Sequence, residues 1–165
     1  MIDDKYIRPD EEVSFIETPQ ELIEQTIAKV NDILKENFPE HLSFGNGSFT
    51  ISRGSTQVMI VVRPFTVDET CVECMANVVT ETEVTPELMR FLLRKNAELH
   101  FGSFGLLFDD TITFSHSIAG TNLDANELIT TLNSVAVIAD YYDDIIVDLS
   151  GGKRAADVID DLDRQ

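Results

Sequence analysis

Between Ser48 and Arg63 the chain reads SFTISRGSTQVMIVVR, with apolar residues at alternate positions on both sides of Gly54-Ser55. Successive side chains of an extended strand point to opposite faces, so this period demands two strands sharing an apolar face. Gly54-Ser55 reads as a two-residue hairpin loop. Such a loop sets Phe49 opposite Ile60 and Ile51 opposite Val58, and it gathers Phe49, Ile51, Val58, Ile60 and Val62 on one side. That face needs further strands beside it and helices across it.

The rest of the chain supplies both. Thr18-Pro19-Gln20-Glu21 carries a capping signal, with Thr18 as cap and Pro19 at the first helical position. Leu22, Ile23, Ile27, Val30, Ile33 and Leu34 then recur at helical spacing until Pro39. A third strand is expected over 70–80, with Val72, Cys74, Ala76 and Val78 toward the core and Cys71, Glu73, Met75, Asn77 and Val79 away from it. Thr85-Pro86 opens a second, shorter helix ending near Leu99. Residues 104–108 and 111–118 read as a second hairpin. A three-residue loop, Asp109 to Thr111, would pair Phe108 with Ile112, Leu106 with Phe114 and Phe104 with His116, collecting the phenylalanines in the core. A long helix follows from Asn122 or Asp124 to about Asp148 and stops at Gly151-Gly152.

The order is α-β-β-β-α-β-β-α, an α+β class built on a five-stranded antiparallel sheet with three main helices. At 165 residues the chain supports one core. Residues 1–17 form an N-terminal extension, 18–151 the single domain and 152–165 an acidic C-terminal tail.

Thirty acidic residues against 12 basic ones give a net charge of −18, which argues against nucleic acid or an anionic membrane as partner. A basic or apolar protein segment fits better. The N-terminus lacks a cationic start followed by an apolar run, and no stretch approaches the roughly 20 apolar residues of a membrane span, so a cytoplasmic protein is expected. Two cysteines make no disulfide framework.

Candidate chemistry is sparse. Cys71 and Cys74 have the spacing of a redox or metal pair, but three residues apart on a strand they point to opposite faces. None of His41, His100 and His116 forms a zinc-protease pair. His116 alternates with Ile112, Phe114 and Ile118 and reads as a structural histidine held among Phe104 and Phe114. The acidic residues Asp3, Asp4, Asp10, Glu11 and Glu12, and Asp140, Asp143, Asp144, Asp157, Asp160, Asp161 and Asp163, match no calcium loop and read as solvated surface. Gly102 and Gly105 lack the Lys-Ser or Lys-Thr of a phosphate loop and read as close packing or a turn. No catalytic residue, metal or cofactor is expected.

The second face of the sheet carries Thr50, Ser52, Gln57, Met59, Val61, Arg63, Met75, Asn77 and Val79, a mixture too apolar for a plain wet surface. Either the third helix and loops cover it, or a partner does. Met59, Val61, Met75 and Val79 are the candidate peptide- or partner-contacting residues, and Met89, Phe91, Leu92 and Leu93 on the second helix are candidates for a homodimer interface.

The segments LLRKNAELHFGSFGL and ITFSHSIAGTNLDANELITTLNSVAVIADYYDD, together with the order of elements, resemble the YbjN and type III secretion chaperone-like family over roughly residues 18–149. That resemblance implies a non-enzymatic peptide- or protein-binding domain, often dimeric, with a protein client. Two other functions are weighed beside it: a regulatory or structural self-associating module without an unfolded client, and a small hydrolase-like enzyme using His116 with a carboxylate such as Glu98.

Overall fold

In the computed structural model, residues 17–158 are described. The expectations for Asp3, Asp4, Asp10, Glu11, Glu12, Asp160, Asp161 and Asp163 lie outside them. Helix α1 spans Gln20–Asn37 and buries Thr26, Val30, Ile33 and Leu34 along one side. Thr18 is not its cap: Pro19 occupies that position with no side-chain hydrogen bond. The Thr18 hydroxyl instead donates to the Thr66 carbonyl at 2.7 Å and accepts the Phe65 N–H at 2.8 Å, tying the helix entry to a strand connection.

Strands β1 (Leu42–Ser43), β2 (Ser48–Arg53), β3 (Thr56–Pro64) and β4 (Thr70–Thr80) follow, then α2 (Pro86–Glu98), β5 (Ser103–Leu106), β6 (Ile112–Ala119), α3 (Ala125–Ser150) and β7 (Lys153–Arg154). Thr85 caps α2 by accepting the Leu88 N–H, and Asp124 caps α3 by accepting the Glu127 N–H. Gly151, at φ 70°, ends α3 in a conformation that favours glycine.

The sheet has seven strands rather than five, in the order β1-β2-β3-β4-β6-β5, with β7 paired to the end of β4. The two extra strands are two residues long, and β7 comes from what the sequence reading assigned to the tail. Residues 153–158 therefore belong to the domain: Val79 pairs with Arg154, Thr80 with Lys153, and residues 155–158 are helical.

The β2–β3 hairpin closes as its alternation requires, Phe49 against Ile60 and Ile51 against Val58. The β5–β6 hairpin does not. Phe104 pairs with Phe114 and Leu106 with Ile112, so the loop runs from Leu107 to Thr111 and Phe108 stands fully exposed at its tip. The loop has its own bonds, Leu107 N–H to the Thr111 carbonyl, Asp110 N–H to the Leu107 carbonyl and Thr111 N–H to the Asp109 carboxylate, and Asp110 takes a positive φ of 62°. These local hydrogen bonds displace the two-residue shift in register that would have placed Phe108 inside.

One face of the sheet is the core. Phe49, Ile51, Val58, Ile60, Val62, Val72, Cys74, Ala76, Val78 and Phe114 meet α1 and Leu128, Leu132, Val135, Ala136 and Ala139 of α3. At the β5 end, Phe104 packs edge-on to Phe114 and to Tyr142 at 5.0 and 5.3 Å, pairs each worth about 0.5–1.5 kcal/mol beyond area burial. Gly102, at φ 85°, lies so close that an added Cβ would sit 2.6 Å from Phe114 Cε1 and 2.7 Å from the Ser115 carbonyl. Close packing, not phosphate binding, explains it.

A sheet face beside a carboxylate-lined pocket

The opposite face of the sheet is not covered by α3, which packs on the core side. Along β3 it presents Gln57, Met59, Val61 and Arg63, and along β4 Cys71, Glu73, Met75 and Asn77, each exposed or half-exposed. Met59, 43 % exposed, lies directly across from Met75 in the β3–β4 ladder, and Val61 lies across from Glu73. Val79 departs from this face. A β-bulge between Asn77 and Val79 breaks the alternation, so Val78 and Val79 are both buried and Val79 is no contact residue.

At the end of the sheet where β3 begins and β4 finishes, the two methionines line a pocket of about 280 Å³. Thr50, Gln57 and Asn77 share its wall with Ala139 and Asp143 of α3 and with Ala155, Ala156 and Val158. The 155–158 turn thus reaches one end of the open face. Asp143 is the residue that the sequence reading missed, having taken it for solvated surface. It is buried, four residues after Ala139 and three before Ile146 on the inward stripe of α3. Helical spacing was the signal that could have singled it out.

The remaining candidates fall into place individually. Cys71 and Cys74 lie on opposite faces, and burial, with Cys71 and Glu73 adding to it, pushes the Cys74 thiol up to about 12. His41 bonds the Phe38 carbonyl through Nδ1. His116 faces the core side across from Cys74, but its ring stands edge-on to Phe101 at 5.9 Å instead of lying between Phe104 and Phe114. Among the described residues no hydrogen bond joins His116 to Glu98, whose carboxylate binds Lys95 at 2.6 Å. No group of three or more His, Cys, Asp or Glu among the described residues could hold a metal ion, and no helix there is long and apolar enough to cross a membrane.

On α2 the four candidate interface residues separate. Leu92 turns into the chain's own core, where the helical stripe Leu88–Leu92 puts it, and so leaves the interface set. Phe91 is half-buried against Tyr142 at 6.2 Å with Lys95 over its ring, Met89 is half-buried, and Leu93 is 64 % exposed.

A single antiparallel sheet with helices packed on one face, and a second face exposed along β3 and β4 beside the pocket, makes this an α+β domain. The solved structures agree on the fold: a chain of the crystal structure of the ExsC–ExsE complex matches with a TM-score of 0.57 at 18 % identity, covering 73 % of this chain and 95 % of that one. Residues 20–158 match the family described as T3SS (YopN, CesT) and YbjN peptide-binding chaperone 1, and the chain belongs to that family. No curated protein matches significantly. Family membership makes this a peptide-binding, chaperone-like domain.

Proposed function

We propose that the exposed face of β3 and β4, with Met59, Val61 and Met75, is where this domain holds an extended segment of a protein client. The observation that carries the reading is the cross-strand pair Met59–Met75, two flexible thioether side chains left half-exposed beside a pocket on a face that the helices do not cover. Methionine adapts its shape to different apolar partners, which suits a surface that accepts a sequence without a fixed fold. The net charge of −18 favours clients with basic segments. The domain acts without catalysis or a cofactor, in the cytoplasm. Supporting the first point, the Glu98 carboxylate is paired with Lys95 and burial keeps the Cys74 thiol protonated.

Panning random displayed peptides against the purified chain tests this. Selected peptides should bind Met59→Ser about tenfold more weakly, because the apolar contact is lost without a new charge, and Met89→Asp as well as wild type. Peptides indifferent to Met59→Ser would place the client elsewhere.

A homodimer through Met89 and Leu93 is the accompanying proposal, supported by the exposure of Leu93 and of half-buried Met89 one turn before it on the same face of α2, whereas Phe91 turns away from that face toward Tyr142. Light scattering should show a dimer that Leu93→Asp converts to a monomer. A wild-type monomer at high micromolar concentration would refute it and leave the client face untouched.

A further inference from the structure

Asp143 occupies a position where the repeat of α3 calls for an apolar side chain, yet it lines the pocket beside Met59 and Met75 and is only 8 % exposed. One oxygen accepts the N–H of Asp144. Among the described residues no side chain donates to this carboxylate and no cation forms an ion pair with it. Arg154 of β7 is engaged elsewhere: Nε and Nη2 each hold an oxygen of Asp157 at 2.8 Å, and Nη1 reaches Asp144 at 3.3 Å. Asp144 and Asp157 therefore divide one guanidinium between them, and Asp143 is left without an ion pair to it. Burial holds the Asp143 carboxyl above its ordinary range; the Asp144 N–H and Arg154 oppose this, and the charges of Asp144 and Asp140 add to it.

A carboxylate so placed is costly unless a cation joins it. We propose that the pocket is a subsite for one lysine or arginine side chain of the bound peptide, its aliphatic stem on Met59 and Met75 and its cationic head at Asp143. This rests on the peptide-binding reading and names the client chemistry that the pocket selects. At about 280 Å³ the pocket lies just under the roughly 300–1,000 Å³ of small-molecule sites and suits a side chain better than a metabolite. A long basic side chain matches it in character, apolar along the stem and charged at the tip. The surplus of carboxylates around Arg154 draws in the same sign of charge.

The test uses the full chain labelled with ¹³C at the methionine methyls, so that Met59 and Met75 report on the pocket and Met89 serves as control. The probe is an acetylated seven-residue peptide of alternating alanine and leucine with a central lysine, compared with the same peptide carrying norleucine, which keeps the stem and loses the charge. The lysine peptide should shift the Met59 and Met75 signals, leave Met89 in place, and bind about tenfold more tightly than the norleucine peptide, the range of a charge-assisted contact. Asp143→Asn, which folds because it removes an uncompensated charge, should make the two peptides equal. If both peptides shift Met59 and Met75 with equal affinity in the wild type, the cation subsite is overturned and peptide binding stands. If neither moves those two methyls, both readings fall.

Discussion

Asn96 holds Phe104 by both of its backbone groups: Nδ2 donates to the Phe104 carbonyl at 3.1 Å, and Oδ1 accepts the Phe104 N–H at 2.6 Å. A side chain of α2 thereby takes the place of a neighbouring strand along the outer edge of β5, where unpaired backbone would otherwise invite another chain. Strand addition at Phe104 is thereby blocked.

Asn96→Ala should cost about 1–3 kcal/mol in urea unfolding, because it strips the partners from two part-buried backbone groups. Asn96→Asp, which keeps the acceptor and loses the donor, should fall between alanine and wild type. Light scattering of the alanine variant should show association through the uncovered edge. Equal stability of all three would mean that the edge is not closed by this residue.

Glu69 ties the start of β4 to the end of β6. Its carboxylate accepts the N–H groups of Thr70, Gly120 and Thr121 and the Thr121 hydroxyl at 2.6–3.1 Å. Burial opposes its ionisation, but the Thr121 side chain and the backbone hydrogen bonds outweigh that and hold the carboxyl below 4.5. A depressed folded pKa gives stability that is complete above the ordinary glutamate range and is lost as pH falls through the folded value. Glu69→Gln should therefore be less stable than wild type by about 1–3 kcal/mol at neutral pH, with the gap narrowing in acid. Parallel melting curves from pH 7 down to pH 3 check this; a gap independent of pH would contradict it.

Asp143 has the opposite sign. Its folded pKa is raised from 3.8 by burial, first of all, with Asp144 and Asp140 adding and the Asp144 N–H and Arg154 opposing. The native state then binds the extra proton, so wild-type stability declines as pH rises from the ordinary aspartate range through the raised value. Asp143→Asn should melt higher than wild type at pH 7 and converge with it in acid. A variant less stable than wild type at pH 7 would show that the ionised carboxylate has a stabilising partner.

The two thiols should differ. Cys74, buried in the core with its pKa pushed up to about 12, should react with a thiol reagent only after unfolding, whereas Cys71, half-exposed on the open face, should react in the native protein. Counting modified thiols before and after urea is decisive; two rapid native modifications would contradict the placement of β4.

Sequence pattern revealed most where one physical rule acted alone. The Gly54-Ser55 loop and strict alternation fixed the register of β2 and β3, and Thr85, Asp124 and Gly151 marked helix ends by their capping chemistry. It failed where a local detail overrode the period. The five-residue loop after Leu106 put Phe108 in water, and the bulge after Asn77 buried Val79. Thr18 lost its cap role to a bond with the β3–β4 connection 48 residues away, a contact that no local pattern encodes. Of the candidate contact residues, Met59 and Met75 were legible from alternation and face the pocket. Asp143 was hidden among many surface aspartates, although its helical phase with Ala139 and Ile146 set it apart.

The central claim is that an extended peptide lies across the Met59–Met75 face. Photocrosslinking measures this most directly, with benzoylphenylalanine placed singly at positions 59, 75 and 93 and a labelled peptide from the displayed selection. Efficient crosslinks at 59 and 75, with none above background at 93, are the predicted result. Crosslinks at 93 with none at 59 or 75 would contradict the account and move the client to α2.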